Sequence, residues 1–425
     1  MLSGALLMLV VAAGPNDPLP PSKPRDPPPQ PATFDALMAV PPQFDGMRAI
    51  PLPPNLPRRA LRLDAPHPDK KYVTDRPWGV LLGEMLFHST RLLGPRTMQM
   101  GVSCNSCHPN GSTSPTVFNE HSLMVPGRID LTVGYFTPAA ENGISDPHVI
   151  PTLRGIRQTA PFQLDGKVPS LRDQIRHVVV NEFGTAEPPP LYLDAMTSFL
   201  VQLDFLPNNK LSPDGSLSAA ASAVARRGEK AFNKQRAELG GRSCASCHVP
   251  EDNFTDGKSH RLGLQEGRYD TPTLMGLVAT PPYWHDARAR TIEEAVAEIE
   301  RLFGLKLPAD ERADLVGYLK EIGAENEPWE PPSLARRAAP LLAFYDLMLE
   351  GPWKDDAHIW KLALETGTFE LDELGFKGSK NAAVKKAFGE LEAASNAAIA
   401  KGPNDADRKA VKAARAALQV ALKGL

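Results

Sequence analysis

The sequence predicts an all-α chain of two tandem domains with long Pro-rich loops and a C-terminal helical extension. Three observations predict it. Short strings recur in one order: GEMLF at 83–87 and GEKAF at 228–232, SCNSCH at 103–108 and SCASCH at 243–248, PTLRGIRQTAPFQLD at 151–165 and PTLMGLVATPPYWHD at 272–286. A repeat of this kind means one structural unit made twice. Apolar residues keep helical spacing at Ile292, Ala295, Val296, Ile299, Leu302 and Phe303, and again at Leu315, Val316, Leu319 and Ile322, while runs of period two are scarce. Proline occurs 43 times in 425 residues, about twice ordinary usage, which favours short helices and stiff connections.

Taken in order, residues 1–14 (MLSGALLMLVVAAG) are apolar and end in small residues, the length of a signal peptide and too short for a spanning helix. Export to the periplasm is the expectation. The missing basic n-region leaves two options, a true start upstream of Met1 or a segment retained as an N-terminal anchor. Residues 15–59 are crowded with proline and read as an extended tether. The repeat places the two domains at 60–207 and 215–325, each with a capped helix start after its PTL segment, at Ser170 and at Thr291. Residues 330–425 shift to Ala, Lys and Glu, and the GPND break at Gly402 separates two helical stretches, 380–400 and 405–425, as an appended hairpin.

Composition excludes several classes. Hydrophobic residues at 42% and charged residues at 23% match globular usage, not collagen, coiled coil or wholesale disorder. Lys+Arg 47 against Asp+Glu 50 leaves a formal charge of -3, so there is no general attraction for nucleic acid.

All four cysteines lie in two CxxCH pentads, Cys104, Cys107, His108 and Cys244, Cys247, His248. Two thiols three residues apart can form thioethers to both vinyl groups of one porphyrin, and the adjacent histidine then offers its imidazole to the iron. A shared zinc site, redox dithiols and structural disulfides are the competing readings. Zinc leaves both histidines unexplained unless they too are ligands, and a dithiol enzyme wants a strand-turn-helix context that the pattern lacks.

Over about residues 78–323 the chain resembles the bacterial dihaem cytochrome c peroxidases and the related MauG-type enzymes, on LGEMLF, both SCxSCH pentads, APFQLDGK and PTLMGLVATPPYWHD. The resemblance implies two cytochrome c-type domains with two covalently bound haem c groups. The N-terminal haem meets hydrogen peroxide, and the C-terminal haem takes electrons from a small cytochrome c or cupredoxin donor. It further implies that His121, in EHSLMVPGR, is a movable distal ligand, with a loop histidine as the alternative. Glu182, in VVVNEF, matches a glutamate that moves the peroxide proton; a solvated glutamate is the competing reading. His285, in PYWHD, belongs near the interdomain seam or is a structural histidine. A family calcium ion between the domains finds Asp130, with Thr280 and Pro282, as its candidate oxygen site.

Two positions depart from the family pattern. Leu164 stands where peroxidases carry a tryptophan between the haems, and Ile299 stands where the second haem has its methionine, or in MauG-type enzymes its tyrosine. Isoleucine cannot ligate iron. Met275 and His260 are the nearby candidates, and His260 follows His248 by 12 residues much as His121 follows His108 by 13. The leading expectation is therefore an exported peroxide-reacting dihaem oxidoreductase. A MauG-like oxidation of aromatic residues on a partner protein substrate is the alternative, with Trp329, Trp353 or Trp360 as surface relays. A non-enzymatic dihaem electron carrier is the third, and an open iron separates it from the other two.

Overall fold

A computed structural model describes residues 78–108, 111, 128–130, 148–262, 267–324, 334–373 and 380–423. The expected signal peptide and tether, His121 and Trp329 lie outside the described residues. The fold is all-α, as the repeat and the helical spacing predict. The first half carries α1 (Trp78–His88), α2 (Pro95–Met100), the single turn α3 (Cys104–Cys107), α4 (Leu171–His177) and α5 (Pro190–Leu200), with the short antiparallel pair β1 (Arg128–Ile129) and β2 (His148–Val149). The second half carries α6 (Ala223–Asn233), the pair β3 (Ser259–Arg261) and β4 (Arg268–Asp270), α7 (Ile292–Phe303) and α8 (Ala309–Ile322). Four helices follow: α9 (Leu334–Leu349), α10 (Ala357–Glu373), α11 (Ala382–Ile399) and α12 (Asp405–Lys423).

The repeat is a repeat of packing. In each half the GExxF helix crosses the last helix of that half, α1 on α5 and α6 on α8. The repeated glycine sits at the crossing. A Cβ on Gly83 would lie 2.5 Å from the Ala195 carbonyl carbon, and one on Gly228 would lie 2.7 Å from the Asp314 carbonyl carbon, so only glycine lets the two backbones approach. The PTL loops also match. Each turns at a left-handed glycine, Gly155 or Gly276, into a short 3₁₀ turn. Each then closes an isolated bridge, Phe162 to Val168 or Tyr283 to Ala289, over a left-handed residue, Gln163 or Trp284. The capped starts follow: Ser170 accepts from the Asp173 amide, and Thr291 accepts from the Glu294 amide.

The two first helices differ in one respect. α6 is amphipathic and buries Ala225, Gly228, Ala231 and Phe232, whereas α1 buries every residue from Trp78 to Phe87. A helix apolar all round needs cover on all sides. α5 covers one face, and α9 and α10 cover another. The C-terminal region is thus a four-helix body rather than a lone hairpin, and its core, with Phe344, Tyr345, Trp360 and Phe388 fully buried, is continuous with that of the first half. Polar contacts tie the same boundary: His88 Nδ1 lies 2.9 Å from Glu370 Oε1, and Arg91 pairs with Glu365. Trp360 is therefore core, its Nε1 donating to the Ala398 carbonyl at 3.4 Å, and cannot be the surface relay that its place in the sequence suggested. Trp353 packs half-buried against the same core.

The two halves meet along a hydrogen-bonded seam. The Asp270 amide donates to the Leu164 carbonyl at 2.8 Å, Ser259 Oγ to the Asp165 carbonyl at 2.6 Å, and the Val149 amide to the His285 carbonyl at 2.9 Å. Among the described residues no helix is long and apolar enough to cross a membrane.

Candidate haem-binding sites and the interdomain seam

Both pentads open a helical turn in the same way. Ser103 and Ser106 form a reciprocal capping box around Cys104, and Ser243 and Ser246 repeat it around Cys244. The box satisfies the first amides of the turn. Burial pushes Cys104 and Cys107 up to about 12, and burial likewise raises Cys244 and Cys247. Thiols held neutral suit neither a reactive dithiol nor a thiolate site, and all four are free of disulfides.

The histidines fit the same group. Burial pushes His108 down to about 4, with the Pro151 carbonyl opposing, yet its Nδ1 has no partner of hydrogen-bond geometry among the described residues. Burial also lowers His248, opposed by the carbonyls of Phe254 and Pro272, and Nδ1 lies 3.0 Å from the Phe254 oxygen. Pro151 and Pro272 are the first residues of the two PTL loops, so the repeat faces each histidine with the same carbonyl. Both imidazoles are held neutral, the form that ligates iron.

Glu182 closes a π turn, Val178–Glu182, that continues α4. Such turns recur at functional sites. Its Oε1 accepts from Gln163 Nε2 at 3.0 Å and lies 3.8 Å from His177 Nε2. Gln163 belongs to the first APFQLD loop, so a left-handed loop residue holds the carboxylate. The next residue, Phe183, packs with Ile129, Ile150 and Met100 beside Cys107, which ties this segment to the first pentad. A cleft of about 700 Å³ reaches Phe183 between residues 183–189 and the first turns of α10.

The other expected site residues occupy different ground. The His285 ring stacks on Tyr269 with centroids 4.0 Å apart, at the seam where its carbonyl meets Val149. His260 Nε2 sits 2.6 Å from Asp256 Oδ2. Burial opposes the Asp256 charge, but hydrogen bonds from His260 and Thr271 hold that carboxyl below its ordinary value. With Cys247 they form the metal-capable cluster among the described residues, all ligand atoms within 4.8 Å; thioether formation at Cys247 would consume it. Met275 is buried in the second core, and Ile299 is half-buried on α7. Asp130 is buried at the end of β1, and Thr280 Oγ1 donates to the Leu277 carbonyl.

Two seam features carry no motif. Burial raises Asp270 to about 7, with Asp256 adding to the shift, and its Oδ1 is buried without a hydrogen-bond partner among the described residues. Asn253 Nδ2 donates to Gln158 Oε1 at 2.8 Å, both side chains buried. Asn253 gives one hint in sequence, because asparagine tolerates left-handed backbone.

Residues 225–304 match the family model described as di-haem cytochrome c peroxidase. The chain is 23% identical over 297 residues to the cytochrome c551 peroxidase of Nitrosomonas europaea, covering 60% of this chain and 82% of that protein. Solved structures with a similar course include hydrazine synthase of Kuenenia stuttgartiensis, at 22% identity, TM-score 0.41, and coverage of 56% of this chain and 85% of that one. A MauG-like protein associated with microbial copper homeostasis aligns at 16% identity, TM-score 0.40, over 58% of this chain and 89% of that one.

Proposed function

We propose that this chain is an exported oxidoreductase of the dihaem cytochrome c peroxidase and MauG superfamily, which it resembles over residues 225–304, and that it reacts with hydrogen peroxide at the first of two covalent haems. The observation that carries the reading is the doubled CxxCH turn, each with thiols raised by burial and a half-buried histidine, lowered by burial, facing the carbonyl of a PTL loop. Bound haem supplies the one-electron chemistry and the iron at which the peroxide O–O bond is cleaved. Cys104, Cys107 and Cys244, Cys247 would hold the two groups through Sγ, and His108 and His248 would each supply an imidazole nitrogen. Glu182 would take a proton from bound peroxide at its carboxylate and return it to the leaving oxygen. Gln163, donating to Oε1, holds that carboxylate in one rotamer. His121 is the proposed displaceable ligand of the first iron, and Asp130 the oxygen donor for a calcium ion between the halves.

The departures at Leu164 and Ile299 favour the MauG-like variant as the second reading. Leu164 meets the seam through its carbonyl and carries no aromatic ring, and Ile299 offers no donor atom to the second iron. Steady turnover with a soluble donor would then be low, and peroxide alone would leave a long-lived oxidised state able to attack a partner protein.

The test uses protein matured in a periplasmic cytochrome-assembly host. Mass spectrometry is expected to show two haems, with one lost in Cys104→Ala/Cys107→Ala and the other in Cys244→Ala/Cys247→Ala. A matured sample holding none or one sinks the reading. Mixing the diferric protein with one equivalent of peroxide, followed by donor assays, then separates the two enzymes. Fast sustained turnover without a stable oxidised species selects the ordinary peroxidase.

A further inference from the structure

The repeat puts His108 and His248 in matching places, each facing the carbonyl of a PTL loop. His248 Nδ1 also lies 3.0 Å from the Phe254 carbonyl. That carbonyl is in reach because Asn253 and Phe254 both adopt left-handed backbone, φ 59 in each. Asparagine tolerates this region; a bulky phenylalanine does not, and it stays there only if its surroundings over-determine it. The Phe254 ring is fully buried against Phe232, so the turn cannot relax by swinging the ring outward.

Three hydrogen bonds pin the turn. The Phe254 amide donates to the Val249 carbonyl at 2.8 Å, and Thr273 Oγ1 donates to the Asn253 carbonyl at 2.6 Å. Both come from the second half. The third, Asn253 Nδ2 to Gln158 Oε1, crosses from the first half. Asn253 is 0% and Gln158 4% exposed, so water cannot replace a lost partner, and a buried unpaired amide is costly.

We infer that Gln158 is a positioning residue for the second haem: through Asn253 it holds the Phe254 carbonyl on Nδ1 of His248. The inference rests on the reading of His248 as an iron ligand. An imidazole that donates Nδ1–H to a fixed carbonyl is a stronger donor at Nε2 and favours the oxidised metal. The first half thereby sets the electron-donating strength of the second histidine.

The test measures both haem midpoint potentials and the resting electron paramagnetic resonance spectrum of the matured holoprotein. Gln158→Met keeps length and packing but removes the amide acceptor. It is expected to shift the second midpoint upward and alter the second haem's signal, with the first haem unmoved. Asn253→Gly breaks the same bond from the other side while relieving the left-handed backbone, and the same shift is expected. Gln158→Glu keeps an oxygen at the same reach and stays near wild type. An unmoved second midpoint in both Gln158→Met and Asn253→Gly, with two haems present, overturns the positioning role and leaves the proposed function intact. Equal shifts of both midpoints also overturn it, since they report general loosening. A second haem without histidine ligation overturns both.

Discussion

Replacing Gly83 with alanine tests whether the repeat is a packing repeat. In an ordinary helix interior Gly→Ala stabilises by about 1 kcal/mol. At Gly83 the new Cβ would stand 2.5 Å from the Ala195 carbonyl carbon and 2.8 Å from Phe199 Cβ, where carbon contacts need about 3.5–4.0 Å. The obstacle is backbone, which cannot rotate away, so α1 and α5 must separate by about 1 Å. Overpacking of this kind costs about 3 kcal/mol, the upper end of the usual range. The net is a loss of about 2 kcal/mol, or roughly 4–8 °C in melting temperature for a body of this size. Gly228→Ala should behave alike, since its Cβ would meet Tyr318 Cβ at 2.6 Å. Gly389→Ala on α11 is the internal control, with nothing within 4 Å, and should gain about 0.5–1 kcal/mol. Calorimetry of the matured protein decides it. A Gly83→Ala protein that melts at or above wild type would refute the close-crossing argument.

Three further outcomes are expected. Glu182→Gln should retain both haems and lower peroxide turnover by about 10²-fold; wild-type turnover removes Glu182 from the chemistry. Asp270→Asn should remove a pH dependence: burial raises the folded carboxyl from 3.8 to about 7, so the native state binds the extra proton between those values and wild-type stability falls as pH rises through them. Urea midpoints should therefore coincide near pH 4 and favour Asp270→Asn above pH 7; a parallel pH profile for the two proteins contradicts this. Trp360→Ala, which empties a fully buried site in the core shared with α1, should cost about 3–5 kcal/mol and lower the transition of the first half and the C-terminal helices together. Separate melting of those helices would show that the shared core does not couple them.

The sequence by itself determined what is local or repeated. Helices came from apolar spacing at 292–303 and 309–322, caps from Ser170 and Thr291, and the paired CxxCH turns from four cysteines at fixed offsets, because a turn places residues three apart together whatever surrounds it. The cover over α1 was not read from the sequence, although WGVLLGEMLFH is far more apolar than AVARRGEKAFN and such a helix needs a second layer. Tertiary structure alone decided which elements meet. Trp360 became core rather than surface, Gln163 came to hold Glu182 across 19 residues, and Gln158 reached Asn253 across 95. Such pairs leave no periodicity, because a contact between distant segments is set by how two packed bodies dock. A glutamine buried at that junction looks in sequence like any polar loop residue until its partner across the seam is in place.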